Sequence, residues 1–107
     1  MNKNLNINDD LKKYLKAKNN LIDGVRYEFE FENELGASII KRFGSYGFEE
    51  DLWELATLEN GYLQYYPLTG GDVVGYLTDK QVNTILYKIK DEELDEYFEE
   101  KKKWLDI

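Results

Sequence analysis

The chain contains no cysteine, no histidine, a single proline and, among its basic residues, only two arginines, Arg26 and Arg42. Without thiols or imidazoles there are no disulfides, thiolate nucleophiles or histidine bases, and the ligands that zinc and most transition metals favour are missing. No catalytic residue, metal or cofactor is therefore expected, and the chain is read as a non-enzyme. No uninterrupted apolar run approaches a membrane span, and Met1-Asn2-Lys3-Asn4-Leu5-Asn6 has none of the apolar character of a signal peptide. These absences predict a protein that stays in the cytoplasm where it is made. Basic groups are also scarce, 14 against 22 acidic ones, and the net charge of −8 repels phosphate backbones and anionic membranes. Neither nucleic acid nor membrane is an expected direct partner.

Aromatic side chains are plentiful: nine Tyr, five Phe and two Trp make up 15% of the 107 residues. They supply enough apolar area for one dense core, so residues 1–107 are read as a single domain. Its acidity is uneven. Residues 1–24 hold five basic and three acidic groups, residues 25–77 three and ten, and residues 78–107 six and nine.

The periodicities predict an α+β fold: an antiparallel four-stranded β-meander covered by a capped helix, with a short N-terminal helix and an extra acidic C-terminal helix. Asn8 is placed to cap the first helix, where Ile7, Leu11, Tyr14 and Leu15 recur at helical spacing up to about Lys18. Residues 1–24 are thus an N-terminal helix and linker, with Asp23-Gly24 as turn chemistry. From Val25 to Glu32 apolar and charged residues alternate without error, the mark of a half-buried strand. Its partner is Ala37 to Phe43, reached through Asn33-Glu34-Leu35-Gly36. After the glycine-punctuated loop Gly44-Ser45-Tyr46-Gly47-Phe48, a third strand spans Leu52 to Leu58 with Trp53 and Leu55 on one face. Asn60-Gly61 then turns the chain into a fourth, Tyr62 to Tyr66, that Pro67 stops. Thr78-Asp79-Lys80-Gln81 reads as a capping box, and Val82, Ile85, Leu86 and Ile89 form one apolar stripe over the sheet. The stripe Leu94, Tyr97, Phe98 and Leu105 is rotated from the first, which predicts a break near Asp91 to Glu93. Residues 25–90 form the core, and residues 91–107 a C-terminal helical extension.

Several segments of that core, Tyr27-Glu28-Phe29-Glu30-Phe31-Glu32-Asn33, Gly36-Ala37-Ser38, Ser45-Tyr46-Gly47, Leu52-Trp53-Glu54-Leu55-Ala56 and Gly75-Tyr76-Leu77-Thr78, resemble a family of small uncharacterised phage and prophage proteins. The resemblance covers residues 25–90 approximately and implies a phage gene in a bacterial host, with no assigned activity. Where that family has an acidic stretch before the glycine, this chain has Thr69-Gly70-Gly71-Asp72. Small acidic phage proteins without catalytic groups are often inhibitors of host proteins, anti-CRISPR proteins among them, and this analogy supplies the leading expectation.

Glu28, Glu30 and Glu32 stand on one strand face roughly 7 Å apart, continued by Glu34 in the turn. Such a row either imitates a phosphate track, as a DNA mimic does, or is the wet face of an antiparallel sheet. Glu49-Glu50-Asp51 forms a second cluster, either a contact for a partner's cations or a solvated loop. The run Gly70-Gly71-Asp72-Val73-Val74-Gly75 lacks the Lys-Ser/Thr of a phosphate loop, and Thr78 already serves the helix. The surplus aromatics are divided between core and exposed interface. Together these features predict a binding protein that inhibits a host protein with a basic, nucleic-acid-binding surface, such as a defence nuclease. The alternative is a structural or regulatory phage protein that forms a homodimer through Leu94, Tyr97, Phe98 and Leu105.

Overall fold

Error-free alternation gives the sheet its spine, because every second residue from Val25 to Phe31 is apolar and buried while Arg26, Glu28 and Glu30 face the other way. The computed structural model describes residues 2–59, 62–63 and 73–91. Its strands are β1 (Leu15–Leu21), β2 (Gly24–Glu30), β3 (Leu35–Arg42), β4 (Trp53–Glu59), β5 (Tyr62–Leu63) and β6 (Val74–Leu77), and the helix α1 is Asp79–Lys90. The protein is α+β. All strand pairs are antiparallel and run in the order β1 to β5, with β6 sharing the outer edge of β4 beside β5.

Two expectations about this sheet are corrected. The four-stranded meander is a six-stranded sheet, since β1 and β6 join it. The predicted N-terminal helix is one short 3-10 helix, Asp9–Tyr14, after which the chain becomes β1 instead of continuing to Lys18. The apolar spacing that suggested a longer helix reflects a different burial: Leu11 is fully enclosed, while Leu15 is exposed and already paired with Phe29. Without β1, the outer edge of β2 would present unpaired amides and carbonyls, and satisfying them outweighs the weak strand preference of Leu-Lys-Ala-Lys-Asn-Asn-Leu.

α1 begins with the expected capping box: Thr78 accepts from the Gln81 amide and Gln81 reaches back to the Thr78 amide. Its far end is closed by a distant side chain, Asn33 in the β2–β3 turn, whose Nδ2 donates to the carbonyls of Ile89 and Lys90 at 3.0 and 3.2 Å. That satisfies acceptors a helix leaves open. Val82, Ile85, Leu86 and Ile89 are fully buried against Phe29, Ile39, Trp53, Leu55 and Leu77. Burying each such side chain is worth about 1.5–3 kcal/mol.

The N-terminal arm shares that face. Leu5 and Leu11 enter the core, and the Tyr27 hydroxyl donates to the Lys3 carbonyl at 2.9 Å. Buried Asn83 accepts from the Asn8 amide and donates to the carbonyls of Asn6 and Asp79. Arm, helix and sheet are therefore one core. No helix of the described residues is long and apolar enough to cross a membrane. Helix α1 ends at Lys90 with Asp91 as its C-cap, and the C-terminal helix expected past a break near Asp91 to Glu93 lies outside the described residues. The proposed self-association stripe, Leu94, Tyr97, Phe98 and Leu105, lies outside the described residues, as do Tyr65 and Tyr66 of the predicted fourth strand.

Candidate interaction surface

The acidic residues singled out above fall into two groups at opposite ends of β3. Glu32 and Glu34 sit at the β2–β3 turn, and Glu49, Glu50 and Asp51 in the β3–β4 loop. A strand of this length separates its ends by on the order of 25 Å. The two groups do not form one continuous field.

Glu28 and Glu30 are not free carboxylates. A β-bulge in β1 between Leu15 and Ala17 accommodates Lys16, whose ammonium lies 3.1 Å from Glu30 and 3.5 Å from Glu28. Arg26 meets Glu28 at 2.8 Å and also donates from Nε to Ser38 at 2.9 Å. Burial raises the affinity of the Glu28 carboxyl for its proton, but Arg26 and Lys16 outweigh it and hold the group below its ordinary value. With a side chain only 15% exposed, Glu28 offers little to a partner. Glu32 and Glu34 remain exposed at the turn, where Glu34 adopts a left-handed φ of 70°.

The opposite end is built differently. Loop residues 43–52 fold back on themselves: Ser45 Oγ donates to the Arg42 carbonyl and accepts from its amide, while Glu50 and Leu52 both donate to the Gly47 carbonyl. Phe48–Glu50 forms a single 3-10 turn. Gly44 and Gly47 have φ of 90° and 98°, where a side chain is disfavoured.

This loop interlocks with the start of β6. The Tyr76 amide donates to the Tyr46 carbonyl at 3.2 Å. A Cβ on Gly75 would stand 2.3 Å from the Cβ of Tyr46, so only glycine lets the two backbones approach this closely. Tyr76 itself has a φ of 59°, an unusual conformation for an aromatic residue that costs on the order of 1–2 kcal/mol. Two short motifs separated by the whole of β4 and β5, Ser45-Tyr46-Gly47 and Gly75-Tyr76, thus make one surface.

Five large apolar side chains are exposed among the described residues, and three of them converge here: Phe43 at 73%, Tyr46 at 60% and Tyr76 at 55%. With Phe48, Glu49 and Glu50 they line an open cleft of about 290 Å³. Phe43 and Phe48 meet edge to face, 6.1 Å between ring centres. Glu49 and Glu50 are exposed and make no ion pair among the described residues.

Asp51, their neighbour in sequence, is committed elsewhere. It accepts from the Asn2 amide at 2.9 Å and from Lys41 Nζ at 3.0 Å, and these bonds, the amide first, hold its carboxyl below the ordinary value. Lys41 is 2% exposed and lies 4.1 Å from the centre of the Trp53 ring. Its ammonium also donates to the Asn2 carbonyl. This knot anchors the end of the loop to the core, so the cleft stands on a rigid base.

A second hollow of about 360 Å³ lies between the arm and α1, lined by Asn6, Asn8, Asp79, Lys80, Asn83, Thr84 and Tyr87. Its polar groups largely bond one another: Asp79 accepts from the Asn6 amide, Asn83 accepts from the Asn8 amide and donates to the Asn6 carbonyl, and Asn8 Nδ2 donates to the Tyr87 hydroxyl. That is a clamp for the arm. Among the described residues no group of acidic side chains is arranged to hold a metal.

Reading along the chain found the Gly44–Phe48 loop and the acids Glu49 and Glu50, but it placed Phe43 in a strand and gave Tyr76 no surface role. The available signal was the repeated pairing of glycine with tyrosine in Tyr46-Gly47 and Gly75-Tyr76. Comparison of the chain with family models, curated proteins and solved structures finds no match.

Proposed function

We propose that the protein is a non-enzymatic binding domain that inhibits another protein by covering a basic surface on it, and that the contact is made by the aromatic cleft with Glu49 and Glu50. The observation that carries this reading is the convergence of Phe43, Tyr46 and Tyr76, all exposed, beside two carboxylates that pair with no cation among the described residues. Exposed aromatic clusters next to unpaired charge have the character of interface hot spots. The overall charge of −8 favours a partner of opposite sign, such as the basic surface with which a protein binds nucleic acid. On the phage-protein reading of residues 25–90, that partner would be a protein of a bacterial host, with an anti-CRISPR-like role as the nearest analogy.

Catalysis is disfavoured by composition. With no Cys and no His, the chain has neither a thiolate nucleophile nor an imidazole base. The test is affinity capture from host extract with the wild-type chain and a Phe43→Ser/Tyr46→Ser variant whose amide spectrum shows an intact sheet. A species retained by the wild type and lost by the variant is the expected outcome. Equal retention by both would remove the cleft from the contact.

A further inference from the structure

We infer that the cleft is a receptor for a guanidinium group, an arginine side chain presented by the partner's basic surface. This deepens the proposal above and rests on it for the biological setting, though not for its own test. Three aromatic rings outside the cleft are each served by one of the protein's own cations: Lys13 lies 5.2 Å from the Tyr14 ring centre, Lys18 5.4 Å from Tyr27, and Lys41 4.1 Å from Trp53. The cleft instead gathers exposed rings beside carboxylates. Its lining of Phe43, Tyr46, Phe48 and Tyr76 with Glu49 and Glu50 contains no Lys or Arg.

Aromatic faces attract cations through the negative potential above the ring, and carboxylates at the rim add charge-assisted hydrogen bonds. An anion would be repelled by Glu49 and Glu50, and a neutral apolar ligand would leave both carboxylates partly desolvated without compensation. Among cations, guanidinium fits best: it is planar, weakly hydrated, able to lie flat on a ring, and able to donate two parallel bonds to one carboxylate. An ammonium can do the first of these jobs only as a point charge. The interlock at Gly75 and Tyr46, together with the Lys41 knot, holds the groups in place before the ligand arrives, which lowers the ordering cost of binding.

The test is a titration of the full chain, followed by amide chemical shifts, with three peptides. Each carries one arginine, lysine or citrulline between glycines, with both ends blocked. The arginine peptide is expected to move residues 44–50 and 75–76 saturably, with the lysine peptide weaker and the citrulline peptide, neutral but of nearly the same shape, weaker by about tenfold or more. A Glu49→Gln/Glu50→Gln chain should lose most of the preference for arginine over citrulline while keeping its sheet resonances. Equal response to arginine and citrulline, or shifts confined to Glu32 and Glu34, would overturn the inference. So would no response at these residues. If the Phe43→Ser/Tyr46→Ser variant loses the captured partner while the arginine peptide leaves the cleft unmoved, the contact surface stands and the guanidinium reading falls. If the peptide binds the cleft and the variant still captures the partner, the receptor stands and the contact assignment falls.

Discussion

The outer face of β2 and the loop at the far end of β3 are both rich in glutamate, and they differ in what stands next to it. On β2, Lys16 and Arg26 lie within 3.5 Å of the carboxylates, and the face is a network of paired charges. In the loop, Glu49 and Glu50 stand beside four aromatic side chains and, among the described residues, no cation. A row of acids in a sequence is therefore not yet a negative surface. The sign of a surface depends on cations brought across from neighbouring strands, and here a bulge in β1 brings one.

The largest effect that sharpens this contrast comes from removing Lys41, the β3 cation that holds Asp51 at the end of the loop, and comparing it with the loss of Lys16 from the sheet face. Lys41→Ala would leave a cavity beside Trp53 and strip the Asn2 carbonyl and Asp51 of their donor. It should cost about 3 kcal/mol in urea unfolding. Lys16→Ala, which removes a half-exposed ammonium from Glu30 and from Glu28, a carboxylate that keeps Arg26, should cost less than about 0.5 kcal/mol. Equal costs would mean that the Lys41 knot is not what ties the loop to the core. Next in size is Gly75→Ala, whose added methyl would collide with Tyr46. A loss of about 1–3 kcal/mol, with amide shifts concentrated at residues 44–50, is expected, and a neutral result would contradict the interlock.

These residues also show what could be read along the chain and what could not. The alternation of Val25 to Phe31 and the Thr78–Gln81 box announce β2 and α1 because both signals are local. β1 gives no such signal: Lys16, Lys18, Asn19 and Asn20 are ordinary surface residues that become a strand only because β2 needs a partner. Lys41 looks like a solvent residue until β4 brings Trp53 beneath it. The cleft was half legible. Its glycine loop and acids stood out, but Tyr76 reaches Tyr46 only through the pairing of β6 with β4, a contact no local pattern encodes.

A smaller effect concerns pH. Glu28 is held below its ordinary value of 4.5 in the folded protein. The unfolded chain therefore binds the proton more readily, and the stability gained from the Glu28 pairs is present above that value and lost as pH falls through the folded pKa. Asp51, held below its ordinary 3.8, behaves in the same sense at lower pH. Urea midpoints should decline from about pH 5 downwards, and Glu28→Gln should flatten the upper part of that decline. A steeper decline in the variant would show that the β2 carboxylate is not stabilised by its neighbours.

Under the proposed function, binding resides in the unpaired loop and not in the paired sheet face. Charge reversal separates the two: Glu49→Lys/Glu50→Lys against Glu28→Lys/Glu30→Lys, each folded, each measured for affinity to the partner retained by the wild-type chain. The loop variant should weaken binding by about tenfold or more, and the sheet variant by less than about twofold. The reverse order, or equal losses, would contradict the assignment of the contact to the aromatic cleft.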